Sequence, residues 1–149
     1  MNSDAKEPGA QSAEQAIIDG RKAKAAAARK AGGNPFANTI KPRDAEARTL
    51  DVGAVRALVG RTKVDGKFSE EAVKEVTEGA TFHVRGRVIA LRSTGGLSFI
   101  RLRDRTGEIQ LLISEAVMGA EYASLAALDI GDIVDAEGLL TASKRGELS

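Results

Sequence analysis

Polar and apolar residues alternate with a period of two along three segments in the second half of the chain. The segments are TFHVRGRVIALR at 81–92, LSFIRLR at 97–103 and EIQLLI at 108–113. This period predicts strands with one buried face. Glycine-containing connections at 93–96 and 105–107 are short enough to join antiparallel neighbours. The three segments therefore predict consecutive strands of one sheet.

Two further elements follow. EAVMGAEYASLAAL at 115–128 has apolar residues at helical spacing, and DIVDAEGLL at 132–140 predicts a fourth strand. The order of three strands, a helix and a strand is that of an OB-fold, a Greek-key barrel, with most of its fifth strand missing. The predicted fold class is mainly β with N-terminal helices. Open strand edges in an incomplete barrel predict low stability or self-association.

The sequence before the barrel divides into three regions. Residues 1–11 are polar and predict a disordered tail, whereas the alanine-rich residues 12–33 predict a helix that Gly32 and Gly33 end. Residues 34–80 predict a linker and two short adaptor helices, the second with Ser69 as its N-cap. The predicted OB-fold domain covers residues 81–149.

The composition excludes several classes of site. The 149 residues include no cysteine, so there is no disulfide framework and no thiolate metal site. A single histidine, His83, argues against a zinc site, and its position on the polar side of the first strand predicts a surface residue without an assigned role. No apolar run approaches the roughly 20 residues that span a bilayer, and the N-terminus lacks the pattern of a signal peptide. We expect a cytoplasmic protein that does not contact a membrane.

The net charge of +1 conceals two basic clusters. Residues 85–105 contain six arginines and one acid, Asp104, and residues 21–30 contain five basic residues and no acid. The two Arg-Lys pairs at 21–22 and 29–30 lie within roughly 80° of each other around a helix. Local clusters of this kind are what phosphate binding requires. The alternative for each cluster is a solvated charged surface.

Alternation places a binding face on the outside of the barrel. Ser98, Ile100 and Leu102 point inward, so Phe99 and the neighbouring arginines point outward. Gln110 points outward from the next strand and should lie near Phe99 or one pair along. An aromatic ring stacks on a base for roughly 1–3 kcal/mol, arginines hold phosphates, and an amide can read a base edge. The alternative is that Phe99 packs beneath the upstream helices.

The runs GRVIALRSTGGLSFIRLRDRTGEIQLLI and LDIGDIVDAEGLLTASKRGELS resemble the N-terminal anticodon-binding domain of bacterial-type class II lysyl-tRNA synthetases. The resemblance covers 82–149 strongly and extends weakly through the N-terminal helix and GGNPFANTI. It implies that Phe99 stacks on an anticodon base, that Gln110 reads the central uridine and that Glu147 contacts anticodon bases. The nucleic-acid-binding candidates are Lys24, Arg29, Arg87, Arg92, Phe99, Arg101, Arg103, Gln110 and Glu147.

The sequence departs from the family pattern in the basic residues around Arg92. Leu91 stands where many relatives have a second basic residue, and Gly95-Gly96 replaces the usual glycine-lysine turn, which predicts weaker phosphate contact. The chain ends before the catalytic domain of family members, so we expect it to be inactive alone and to bind no cofactor. ATP and magnesium, and a homodimer, are implied for the full-length family enzyme.

The resemblance thus predicts anticodon recognition of tRNA by the N-terminal part of a lysine-tRNA ligase, whose full-length form aminoacylates lysine tRNA with ATP. Two alternatives belong to other classes. One is a freestanding OB-fold protein that binds single-stranded nucleic acid with little sequence preference. The other is a dimerisation module that binds no nucleic acid.

Overall fold

The computed structural model of the protein describes residues 12–149. The predicted tail at 1–11 lies outside the described residues. The chain divides into two compact units, Met1–Ile40 and Lys41–Ser149. No helix within residues 12–149 is both long enough and apolar enough to cross a membrane.

The first unit contains one helix, α1, which covers Ala13–Lys30. Its N-cap is Ser12, whose hydroxyl accepts a hydrogen bond from the backbone N–H of Gln15 at 3.1 Å. None of the residues of α1 is buried, so the helix exposes its basic side chains to solvent. In the last turn of the helix, the guanidinium of Arg29 lies 5.2 Å from the ring centroid of Phe36.

The second unit follows the predicted order of strands and helices, and the predicted fold class is confirmed. The helix predicted at 115–128 is α-helical only in its first turn, because Gly119 leaves the helical conformation at φ +60° and the chain continues as a 3-10 helix. The elements are β1 Arg48–Thr49, α2 Val52–Val59, a 3-10 turn Gly60–Thr62, β2 Lys63–Val64, β3 Lys67–Phe68, α3 Glu70–Thr77, β4 Thr81–Thr94, β5 Leu97–Arg103, β6 Glu108–Ser114, α4 Glu115–Met118, a 3-10 helix Gly119–Ala127 and β7 Ile133–Leu139.

The long strand β4 organises the sheet. Its first half pairs antiparallel with β7 and its second half with β5, which in turn pairs with β6; β1 adds a short parallel pairing to β4. The pairing of β4 with β5 shifts register between Val88 and Ala90, a bulge of the kind that bends barrel strands. Within residues 12–149, the outer edges of β6 and β7 pair with no other strand. Self-association through open edges stays a prediction.

The core lies between the sheet and the adaptor helices. Val52, Val55 and Val59 on one side of α2 are fully buried, and they join Leu102 and Leu148 in one apolar cluster. The alternation predicted for β5 is confirmed, because Ser98, Ile100 and Leu102 are each no more than 1% exposed. The buried Ser98 hydroxyl contacts those of Ser93 and Tyr122 at 2.7 and 2.8 Å, so its hydrogen-bonding capacity is satisfied inside the barrel.

Asp104 joins the turn after β5 to the start of α2. Its carboxylate accepts hydrogen bonds from the backbone N–H groups of Val52 at 2.7 Å, Thr106 at 2.7 Å and Gly107 at 3.0 Å. Although partial desolvation opposes ionisation, these bonds and one from the Thr106 hydroxyl lower the pKa of Asp104 below its ordinary value. The ionised carboxylate therefore holds the first turn of α2 on the barrel.

The expectation that His83 is a surface residue is wrong. Its side chain is fully buried in β4, with one ring nitrogen 3.2 Å from the Thr49 hydroxyl and the other 3.2 Å from the Asp135 carboxylate. β1 and β7 are the ladder neighbours of this part of β4, and Thr49 on β1 and Asp135 on β7 contact the two ring nitrogens. Alternation along β4 placed His83 on the polar face, but the two-residue strand β1, whose Thr49 contacts the ring, is too short to show a pattern of its own.

Candidate nucleic-acid interface

Phe99 lies on the outer face of β5, outside the core that the adaptor helices cover. Its ladder partner on β4 is Arg92, whose guanidinium lies 4.9 Å from the ring centroid. This cation–π contact holds Arg92 over one side of the ring. The half-buried ring thus keeps an exposed surface beside a cation, an arrangement that can accept a stacked base with its phosphate.

Arg101 and Gln110 continue the same face. They are opposite each other in the β5–β6 ladder, one outward-facing pair along from Phe99 and Leu112, as expected from the sequence. Arg101 forms an ion pair with Glu147, with 2.7 Å between the nitrogen and the carboxylate oxygen. The tertiary structure therefore brings Glu147, 46 residues away in sequence, to the side of the predicted binding face.

The Gln110 amide is held by a residue that the sequence did not indicate. Its nitrogen donates a hydrogen bond to the Ser149 hydroxyl at 3.0 Å. Ser149 is itself fixed, because its backbone N–H and C=O pair with Thr141 at 2.8 Å each. The amide is thus oriented before any ligand binds, which reduces the entropy lost on recognition.

Arg101, Gln110 and Glu147 share the wall of a cavity of about 580 Å³. Phe99 and Arg92 lie outside the wall, next to it along β5 and β4. The cavity is bounded by β6, the β2–β3 hairpin and the chain segment before Ser149. Its lining consists of Arg56, Lys63, Gly66, Phe68, Arg101, Thr106, Gly107, Glu108, Ile109, Gln110, Arg145, Gly146, Glu147 and Leu148.

The other arginine candidates are held by intramolecular contacts. Arg103 binds the Glu108 carboxylate, with 2.8 Å between Nε and the oxygen, and this bond lowers the pKa of Glu108. Arg87 donates to the Gly131 carbonyl at 2.8 Å. Both are outward-facing neighbours on the β4–β5 ladder, but neither lines the cavity. Lys24 and Arg29 belong to α1 in the first unit.

A histidine and two carboxylates lie close enough together to share a cation, but each has another role. His83, Asp135 and Glu137 offer ligand atoms within 4.8 Å of one another in the part of the chain that the structure describes. Both Glu137 oxygens accept backbone N–H groups, those of Arg43 and Asp44, and these bonds lower the pKa of Glu137. The cluster therefore fastens the segment before β1 to the barrel, and we assign no metal to it.

Residues 82–149 match the family model described as the OB-fold nucleic acid binding domain of tRNA anticodon type. This part of the chain is similar to that domain family. The OB-fold class inferred from strand order is thus confirmed.

The chain is also similar to curated lysine–tRNA ligases, which confirms the resemblance predicted from the sequence. It is 39% identical over 139 residues to the Lysine–tRNA ligase of Xylella fastidiosa (strain M23), covering 91% of the chain and 25% of that protein. It is 34% identical over 138 residues to the Lysine–tRNA ligase of Anaeromyxobacter sp. (strain K), covering 91% of the chain and 24% of that protein. The chain therefore spans about a quarter of the length of these relatives.

A third relative carries a different name. The chain is 42% identical over 81 residues to the Lysylphosphatidylglycerol biosynthesis bifunctional protein LysX of Rhodococcus jostii (strain RHA1), which covers 53% of the chain and 7% of that protein. Segments similar to this chain thus occur in proteins with different names.

Three cavity residues were missed by the sequence analysis. Arg56 and Lys63 lie in the region predicted as a linker and two adaptor helices, and Arg145 lies in the turn before GELS. None stands in a motif or an alternating strand. The only signal was their charge, which does not show that α2, the β2–β3 hairpin and the end of the chain meet.

Proposed function

We propose that the OB-fold domain recognises the anticodon of lysine tRNA, as the N-terminal part of a lysine–tRNA ligase. The observation that supports this most strongly is the convergence of Arg101, Gln110 and Glu147 on one cavity beside the Phe99 ring. The similarity to lysine–tRNA ligases over 91% of the chain adds the identity of the tRNA.

Each side chain supplies one part of the recognition. Phe99 stacks on an unpaired anticodon base, which contributes about 1–3 kcal/mol. The Gln110 amide offers a donor and an acceptor to the pairing edge of the central uridine, whose edge presents an imino donor and carbonyl acceptors. Glu147 accepts hydrogen bonds from base amino or imino groups, and the Arg101 guanidinium offsets the cost of placing its carboxylate near phosphates.

Catalysis belongs to the full-length enzyme in this proposal. There, a catalytic domain uses ATP and magnesium to attach lysine to the tRNA, in a cytoplasmic homodimer. In this proposal, residues 82–149 bind the anticodon. We expect the 149-residue chain to bind tRNA and to form no lysyl-tRNA.

A titration with two RNAs tests the proposal. One is the anticodon stem-loop of lysine tRNA and the other differs only at the central uridine. We expect the parent chain to prefer the first by about fivefold or more, since one good base-edge contact contributes roughly 1–3 kcal/mol of discrimination. Gln110→Ala should remove most of this preference.

Leu112→Ala is the matched control, because Leu112 lies on the same outer face of β6 and has no hydrogen-bonding group. It should keep the preference. Equal, salt-sensitive binding of both RNAs would favour the freestanding single-strand binder instead. A chain that binds neither RNA but associates with itself would favour the dimerisation module.

A further inference from the structure

Besides Arg101, three basic residues line the cavity, and each comes from a different segment. Arg56 lies on α2, Lys63 on β2 and Arg145 on the turn at 143–146. Arg56 is held by a hydrogen bond to the Glu108 carbonyl at 2.9 Å, and the Lys63 ammonium lies 5.6 Å from the Phe68 ring centroid.

The turn that carries Arg145 is fastened to the same hairpin. The Phe68 N–H donates to the Gly146 carbonyl at 2.9 Å, and the Gly146 N–H donates to the Ser143 carbonyl at 2.7 Å. Gly146 adopts φ +80°, a left-handed conformation that glycine adopts without strain. The backbone positions of Lys63 and Arg145 are thus tied to each other through β3.

Charge in the cavity wall is unbalanced. The wall contains four basic residues and two glutamates, Glu108 and Glu147, which leaves an excess of two positive charges. Both glutamates are engaged by Arg101, and Glu108 also by Arg103. Within residues 12–149, no carboxylate lies at ion-pair distance from Arg56, Lys63 or Arg145. Uncompensated charge in a concave wall concentrates a positive potential that favours an anion.

The position of this positive charge indicates which kind of anion the cavity would bind. The same cavity contains Gln110 and Glu147, and its volume of about 580 Å³ is in the range of pockets that hold a nucleotide-sized ligand. A nucleotide whose base reaches Gln110 carries a phosphate on each side of its sugar. We propose that Arg56, Lys63 and Arg145 form a phosphate subsite for the RNA backbone next to the base that Gln110 reads. The inference rests on the proposed function and extends it from base reading to backbone positioning.

Salt dependence tests the subsite. The variant is K63Q/R145Q, which leaves Arg56 in place because that residue also binds the barrel backbone. Removing one phosphate contact should reduce the slope of log affinity against log salt by about 0.7 for a single strand. Because the variant lacks two contacts, its slope should be smaller by about 1.4. When salt is raised from 50 to 200 mM, the loss of affinity for the lysine stem-loop should therefore be roughly sevenfold smaller for the variant than for the parent.

The control variant is K41Q/K74Q, which removes the same charge from the same unit at exposed positions outside the cavity wall and outside both basic clusters. It should keep the parent's slope. Urea denaturation of all three proteins checks that the charges were removed without unfolding. The preference for the central uridine should be the same in K63Q/R145Q as in the parent, because Gln110 and Ser149 are untouched.

RNAs with uncharged backbone linkages identify the phosphate that the subsite contacts. Each loop phosphate of the lysine stem-loop is replaced in turn by a methylphosphonate. The parent should lose affinity at one or two linkages beside the central uridine, and K63Q/R145Q should show no such loss.

If this variant keeps the slope and the methylphosphonate profile of the parent while discrimination persists, the subsite is wrong and the proposed function stands. If the slope falls as expected but the parent binds both stem-loops equally, the subsite stands and base reading is wrong. A parent that binds neither RNA overturns both.

Discussion

Gly86 and Gly138 lie on neighbouring strands of the barrel, but a methyl group would meet different surroundings at each. A Cβ atom on Gly86 would lie 2.6 Å from the Arg103 carbonyl oxygen, which is backbone and cannot rotate away. A Cβ atom on Gly138 would have no neighbour within 4 Å. Gly86 is thus required where β4 approaches β5 at the bend.

Gly86→Ala should therefore destabilise the protein by about 2 kcal/mol, because the strands must separate to admit the methyl group. Gly138→Ala should be neutral or stabilising by up to about 1 kcal/mol, since alanine restricts the unfolded chain. Urea denaturation of the two variants measures the difference. Equal stability of the two would contradict the close approach at Gly86.

Phe99→Ala should weaken binding of the lysine stem-loop by about 1–3 kcal/mol, because the stacking surface is removed. Phe99→Tyr keeps an aromatic face and should bind as the parent does, whereas Phe99→Leu keeps apolar bulk alone and should bind as the alanine variant does. Affinities from fluorescence anisotropy distinguish stacking from apolar contact. Tight binding by Phe99→Leu would argue against stacking.

At the scale of elements, the turn after β5 and the start of α2 depend on one carboxylate. Asp104→Asn removes the charge from a group that accepts three backbone N–H bonds, and it should cost about 2 kcal/mol of stability at neutral pH. Asp65→Asn is the control, since Asp65 is an exposed turn residue at φ +48°, a conformation that asparagine tolerates.

The destabilisation should depend on pH with a defined sign. Because folding lowers the pKa of Asp104 below its ordinary value, the charge stabilises the native state above that value, and this contribution falls as pH drops through the lower native pKa. The difference between the free energies of unfolding of the parent and Asp104→Asn should therefore be constant between about pH 8 and 5, and it should decrease towards zero below about pH 4. A difference that persists in acid would show that the charge is not its source.

At the scale of the whole molecule, the basic helix α1 and the OB-fold domain should contribute differently to tRNA binding. α1 exposes its basic residues and carries no base-reading group, so its contribution should be electrostatic. K24Q/R29Q should weaken binding of the lysine stem-loop and of the altered stem-loop by the same factor. A changed preference between the two RNAs would mean that α1 takes part in base selection.

Strand order, the inward face of β5 and the positions of Phe99 and Gln110 follow from the sequence, because a period of two and short turns leave one way to bury Ile100 and Leu102. The burial of His83, the fixing of Gln110 by Ser149 and the cation wall of Arg56, Lys63 and Arg145 do not. Each depends on contact between segments about 30 to 90 residues apart, and such contacts carry no local pattern. Side-chain direction is a property of a strand, whereas a cavity exists only after distant strands and turns have packed together.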